Sequence, residues 1–164
     1  MKRTMLLLLI LVAVALSACA AGEHVIVLYH GRSEVNYEAL RYLQMHFGPA
    51  RISMDVTNDP TSIHPGAYDS VIALSTGYTS GLDPVIGDFV SNYAAPQEVI
   101  VVSLLSRTDS VFVDVTPASQ SQYGVDAVSS ASTWASRRNS ARSILAMHDQ
   151  WTSEVVSLVT GRNA

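Results

Sequence analysis

The sequence predicts a three-layer α/β domain built on a mostly parallel sheet of five strands. Three observations predict it. Apolar runs without polar alternation recur along the chain, at Val25 to Tyr29, Val71 to Leu74 and Val99 to Leu105. Such runs suit strands that are covered on both faces, as in a parallel sheet. Between them, apolar residues fall three or four positions apart, the spacing of one helix face. The joins carry cap and stop residues, and strands alternating with helices at this interval form crossover units.

In chain order, the strand Val25 to Tyr29 ends at His30-Gly31-Arg32, and Ser33 is placed to cap a helix. Val35, Ala39, Leu43 and Phe47 follow four apart on one face of that helix, and Gly48-Pro49 stops it. Arg51 to Val56 reads as the second strand, and Thr57 to Gly66 as a loop with room for one helical turn. Val71 to Leu74 is the third strand. The loop Ser75-Thr76-Gly77-Tyr78-Thr79-Ser80-Gly81 leads from it to a helix capped by Asp83 with Pro84 first, whose apolar face is Val85, Ile86, Phe89, Val90 and Tyr93. Val99 to Leu105 is the fourth strand, Val111 to Val115 reads as the fifth, and Thr116 to Gly124 as a polar loop. A last helix is expected from about Thr133 to Thr160, with Trp134, Ala141, Ile144, Leu145, His148, Trp151, Val155 and Leu158 near one face.

The first residues read as an address. Lys2 and Arg3 precede an apolar run from Met5 to Leu16, short for a membrane span, and Leu16-Ser17-Ala18 stands directly before the only cysteine, Cys19. This resembles the lipobox of bacterial lipoproteins, which implies a signal peptide over 1–18, cleavage, diacylation of Cys19 on sulfur, a short tether over 19–23 and a domain over 24–164. The alternative is an ordinary secretory signal cleaved near Ala18 to Ala21. A lone cysteine in an exported chain is otherwise an odd leftover, and lipidation explains it. The 164-residue chain less its first 18 residues is 146, the size of one domain. Losing Lys2 and Arg3 takes the formal charge from −4 to −6, which does not attract nucleic acid. The acyl chains would supply attachment to the outer face of a membrane.

The residues at two loops resemble the flavodoxin-like family. Tyr29-His30-Gly31-Arg32-Ser33-Glu34-Val35-Asn36 stands where flavodoxins wrap the phosphate of flavin mononucleotide (FMN), and Ser75-Thr76-Gly77-Tyr78 where they cover the flavin ring. The resemblance spans Val25 to Ser106. It implies a doubly wound flavodoxin-like fold with FMN between these loops and electron transfer to a redox partner protein. His30, Gly31, Arg32, Ser33, Asn36, Ser75, Thr76, Gly77 and Tyr78 become the cofactor-binding candidates. Physically, a helix N-terminus at this crevice favours a phosphate, Ser33 and Asn36 could donate to it, Arg32 could pair with it, and Tyr78 could stack on a ring. Glu34 and Val35 depart from the neutral polar pattern of that family. The structural alternative makes Ser33 only a cap, Arg32 a surface charge and Tyr78 a rim residue.

A second segment, Gly124-Val125-Asp126-Ala127-Val128-Ser129-Ser130-Ala131-Ser132, resembles the acceptor motif of proteins flavinylated by a flavin transferase. That resemblance implies Ser132 as the hydroxyl esterified by FMN, with Asp126 and Ala131 as recognition positions and Ser130 in place of the usual glycine. The plainer reading is a loop of serines, with Ser132 or Thr133 capping the last helix.

Other chemistry is poorly supported. Gly77-Tyr78-Thr79-Ser80-Gly81 sets its serine one place late for a nucleophile elbow. The histidines at 24, 30, 46, 64 and 148 show no paired metal spacing. Arg137, Arg138 and Arg142 read as a solvated basic face. The sequence therefore points to an extracytoplasmic, membrane-anchored carrier of FMN, or to a flavin-free envelope binding module of the same fold.

Overall fold

Five strands pair in the order β2-β1-β3-β4-β5 with every neighbour parallel: β1 (His24–Tyr29), β2 (Ser53–Thr57), β3 (Ser70–Thr76), β4 (Val99–Leu105) and β5 (Asp126–Ala131). The computed structural model describes residues 22–77, 82–105, 124–131 and 141–162. Its helices are α1 (Glu34–Phe47), α2 (Pro84–Asn92) and α3 (Ala141–Gly161). This strand order is that of the flavodoxin-like doubly wound fold, with the switch point between β1 and β3.

The register explains why β1 and the central stretches of β3 and β4 are apolar at successive positions. Val25 pairs with Met54 and Ser70, and Val27 with Val56 and Ile72, so successive side chains alternate between two faces. One face carries Val25, Val27, Ile72, Leu74, Ile100, Val102 and Val128, and it packs on Ala39, Leu43 and Phe47 of α1 and on Trp151, Val155 and Val159 of α3. The other carries Ile26, Leu28, Val71, Ala73, Val99 and Val101, and it packs on Ile86, Phe89 and Val90 of α2 with Ile63. The layers are therefore helix, sheet, helix, as the alternation of elements predicts.

The boundaries agree closely with expectation for most elements. Ser33 caps α1 by accepting from Asn36 N, and the helix ends at Phe47 with Gly48 beyond it. The expected turn between the second and third strands is a 3-10 turn, Pro60–Ser62, capped by Asp59. Two expectations are corrected. The stretch read as a loop of serines is β5, paired along its length with Ile100 to Leu105. Leu145 is exposed, because the buried side of α3 runs through Met147, His148, Trp151, Val155 and Val159. The strand expected at Val111 to Val115, Trp134, Arg137 and Arg138 lie outside the described residues, as do the signal peptide and Cys19.

Arg162 fastens the far end of α3 across the strand starts. Its guanidinium donates to Asp126 Oδ2 at 2.6 and 3.2 Å, to Val99 O at 2.8 Å and to Ser70 Oγ at 3.4 Å. Three strands are thus tied at the edge opposite the switch point, and Asp126 is spent on this pair.

Under α3, His148 is 1% exposed and its ring lies flat on Tyr42 of α1, with centroids 4.0 Å apart and planes at 10°. Its Nδ1 accepts from Trp151 Nε1 at 2.9 Å. An indole N–H can only donate, so the imidazole proton sits on Nε2, which is buried with no partner among the described residues. Burial lowers the pKa of His148 from 6.5, against the upward pull of the Glu38 and Asp149 carboxylates. The neutral ring is the one the fold accepts, so its contribution to stability is present above about pH 6.5 and is lost as pH falls below that value.

At the other edge, Asn36 is 1% exposed and every polar atom of its side chain is used. Nδ2 donates to His30 O at 2.9 Å and to Gly31 O at 3.0 Å, while Oδ1 accepts from Thr76 Oγ1 at 2.6 Å. Two carbonyls can be served only by the NH2 group, so the network itself fixes the amide orientation. One side chain therefore binds the turn after β1 to the end of β3.

Two outcomes follow from these joins. Asn36→Ala strands two carbonyls and a hydroxyl, and chemical denaturation should show a loss of about 2 kcal/mol. His148→Gln keeps a partner for Trp151 but cannot titrate. Between about pH 6.5 and 5 its stability should fall less steeply than that of the unaltered protein, measured as denaturation midpoint against pH.

Candidate functional site

The C-terminal ends of the parallel strands share one edge, and the turns leaving β1 and β3 open there on either side of the switch point. In an open α/β sheet this is where a crevice forms and where ligands bind. Both turns contain a glycine in the left-handed region, Gly31 at φ +71 and Gly77 at φ +83, and a Cβ added at either meets nothing within 4 Å. The backbone at these two points is thus bent away from ordinary residues and is open to an approaching group. Gly77 N donates to Leu104 O at 3.1 Å, which ties the β3 turn to β4.

The expected binding residues divide into those the fold uses and those it leaves outward. Asn36 is wholly engaged in joining the two turns. Ser33 Oγ accepts from Asn36 N at 3.1 Å as the helix cap. Thr76 donates to Asn36, and Ser75, 2% exposed, accepts from Asp83 N at 2.8 Å. His30, Gly31 and Arg32 face solvent. Arg32 makes no ion pair among the described residues, and Glu34 is exposed next to the cap. The turn after β1 thus presents a cation, an open backbone and the N-terminus of a 14-residue helix, together with one carboxylate. Tyr78 and Ser132 lie outside the described residues.

Register extends a polar line behind the crevice. Ser75 pairs with Ser103, and Ser103 with Ser129, so three buried serines stand in a row across β3, β4 and β5. Among the described residues Ser129 Oγ has no hydrogen-bond partner, and neither has Ser130 Oγ on the opposite face. Asp126, expected as a recognition position, sits at the start of β5 in the pair with Arg162, at the edge away from the crevice.

Sequence reasoning gave Asp83 only the role of a helix cap. Its Oδ1 does accept from Val85 N at 2.8 Å and Ile86 N at 3.4 Å. Its Oδ2, however, accepts from His30 Nδ1 at 2.9 Å, across 53 residues of sequence. Burial pushes the Asp83 carboxyl up, but the bond from His30, the two helix N–H groups and the His30 charge together hold it below the ordinary carboxylate value. Asp-Pro at a helix start is a local signal for the cap; nothing local signals the histidine.

Comparison with solved structures finds an oxidoreductase from Corynebacterium diphtheriae, with a TM-score of 0.56 and 11% identity over 86% of this chain and 98% of that one. It also finds oxidised flavodoxin 2 from Bacillus cereus, with a TM-score of 0.45 and 10% identity over 86% of this chain and 99% of that one. No protein-family model and no curated protein sequence matches the chain. The strand order makes the fold flavodoxin-like, and the likeness to the oxidoreductase, at this identity, concerns the fold alone.

Proposed function

We propose that the chain is an exported, lipid-anchored electron carrier that holds FMN without a covalent bond in the crevice between His30–Asn36 and the turn after β3. The observation that carries this reading is the open left-handed turn at Gly31, followed directly by the exposed Arg32 and the N-terminus of α1 at the switch point. The unpaired N–H groups of the first helical turn and the Arg32 guanidinium would hold the phosphate. Gly31 lets it come close to the backbone. Gly77 opens the facing turn, and the flavodoxin resemblance gives Tyr78 the ring. Bound flavin supplies the one- and two-electron redox chemistry, and the protein positions it and tunes its potential.

Attachment through Ser132 has less support. A transferase needs its acceptor segment accessible, whereas 126–131 is hydrogen-bonded into the sheet and Asp126 is ion-paired. The lipid anchor rests on Cys19 and its small-residue flank. The redox partner would meet the flavin at the crevice edge, outside the membrane.

A specific observation favours a second reading, a flavin-free binding module. Asn36 and Ser33, two side chains that could have served a phosphate, are engaged within the fold, and Glu34 repels an anion. The visible spectrum of the purified mature protein separates the two. The first reading expects oxidised-flavin absorption, either as isolated or after adding FMN, and release of that flavin on denaturation. A colourless protein that ignores FMN contradicts it, and flavin that stays with the denatured chain reinstates Ser132. For the anchor, Cys19→Ala should move the protein from the membrane fraction to the soluble one. Unchanged fractionation would remove Cys19 from the account.

A further inference from the structure

We propose that Asp83 is a positioning residue that sets His30 as the group reading the anionic oxygen of the crevice ligand, a phosphate monoester; this rests on the phosphate-binding reading above. The geometry separates the two members cleanly. Asp83 is 6% exposed, and its two oxygens and its backbone N–H all have partners inside the protein. The His30 side chain is 48% exposed, and among the described residues only its Nδ1 is engaged. An ionised carboxylate accepts and never donates, so Nδ1 carries a proton and Nε2 is left for the crevice. A carboxylate behind Nδ1 fixes the orientation of the ring, the relation that orients histidines in metal sites and acyl-transfer enzymes. Nε2 can then share a proton with a phosphate oxygen in either protonation state, as donor to the dianion or as acceptor from the monoanion's hydroxyl.

A cap alone does not require this arrangement. Oδ1 suffices for both helix N–H groups, as it does in ordinary Asp caps. The second oxygen instead reaches the first residue of the turn after β1. The resulting pair spans the switch point beside the Asn36 join, with its buried member on α2 and its exposed member next to Arg32. A simple staple between two turns would gain nothing from leaving half an imidazole in water.

The test uses the full mature protein and two variants. Asp83→Ser keeps a helix-capping oxygen and removes the partner of His30; His30→Gln removes the imidazole. Nitrogen-15 NMR of the histidine side chains should report the Nδ1–H form for neutral His30 and a shift toward the Nε2–H form in Asp83→Ser, a signature that a cap alone would not move. Inorganic phosphate, FMN and riboflavin are then titrated separately. The expected result is that phosphate and FMN perturb His30 Nε2 while riboflavin does not. Preference for FMN over riboflavin should fall about tenfold in His30→Gln and by a smaller factor in Asp83→Ser, the size of one charge-assisted hydrogen bond. If phosphate moves His30 but neither flavin binds, the dyad stands and the flavin reading falls. If FMN binds and both variants keep the same preference over riboflavin with His30 unmoved, the dyad is only a staple and the proposal fails. It fails equally if no phosphate-bearing probe reaches His30.

Discussion

One buried amide joins the turns at the C-terminal ends of β1 and β3. Parallel strands leave the sheet as separate turns, and nothing in the ladder fixes one turn against its neighbour. Asn36 does so by donating to two carbonyls of the β1 turn and accepting from Thr76 of β3. Because it is buried and fully paired, it resists competition from water, and the turn keeps the left-handed bend at Gly31 as a fixed feature. The same commitment removes Asn36 from ligand chemistry. What remains to meet a ligand is the backbone of the turn, Arg32 and His30.

The two edges of the sheet are organised on opposite principles. At the strand starts, Arg162 gathers α3, β3, β4 and β5 into one charged, hydrogen-bonded knot. At the strand ends the groups are split between inward and outward ones. Asp83 and Ser75 are buried and satisfied, whereas His30 and Arg32 are exposed. An edge built this way can hold its shape while offering polar groups to solvent. Flavin binding would exploit that edge, and so would the binding of another phosphate-bearing molecule.

Much of the fold was legible because burial on both faces leaves a plain trace. Val25 to Tyr29 has no strongly polar position to misplace and Val99 to Leu105 has only Ser103, and Ser33, Asp83 and Pro84 mark helix starts with local chemistry. The fifth strand escaped because Asp126, Ser129 and Ser130 look like turn residues. Its strand character comes from pairing with β4 and from packing of Val128 under α3, neither of which is local. Within the candidate site, two roles were not legible. Asn36 was read as a ligand donor and is the join between two turns; Asp83 was read as a cap and also holds His30. In both cases the deciding partner lies about forty or more residues away in sequence, where no spacing rule reaches.

The central claim is that a phosphate-bearing flavin occupies the turn after β1 and the turn after β3 together. Hydrogen–deuterium exchange of the mature protein with and without saturating FMN tests it most directly. The account predicts added protection confined to the segments around His30–Asn36 and the β3-to-α2 connection, with the Arg162 edge unchanged. Protection that appears elsewhere, or none at either turn, would contradict it.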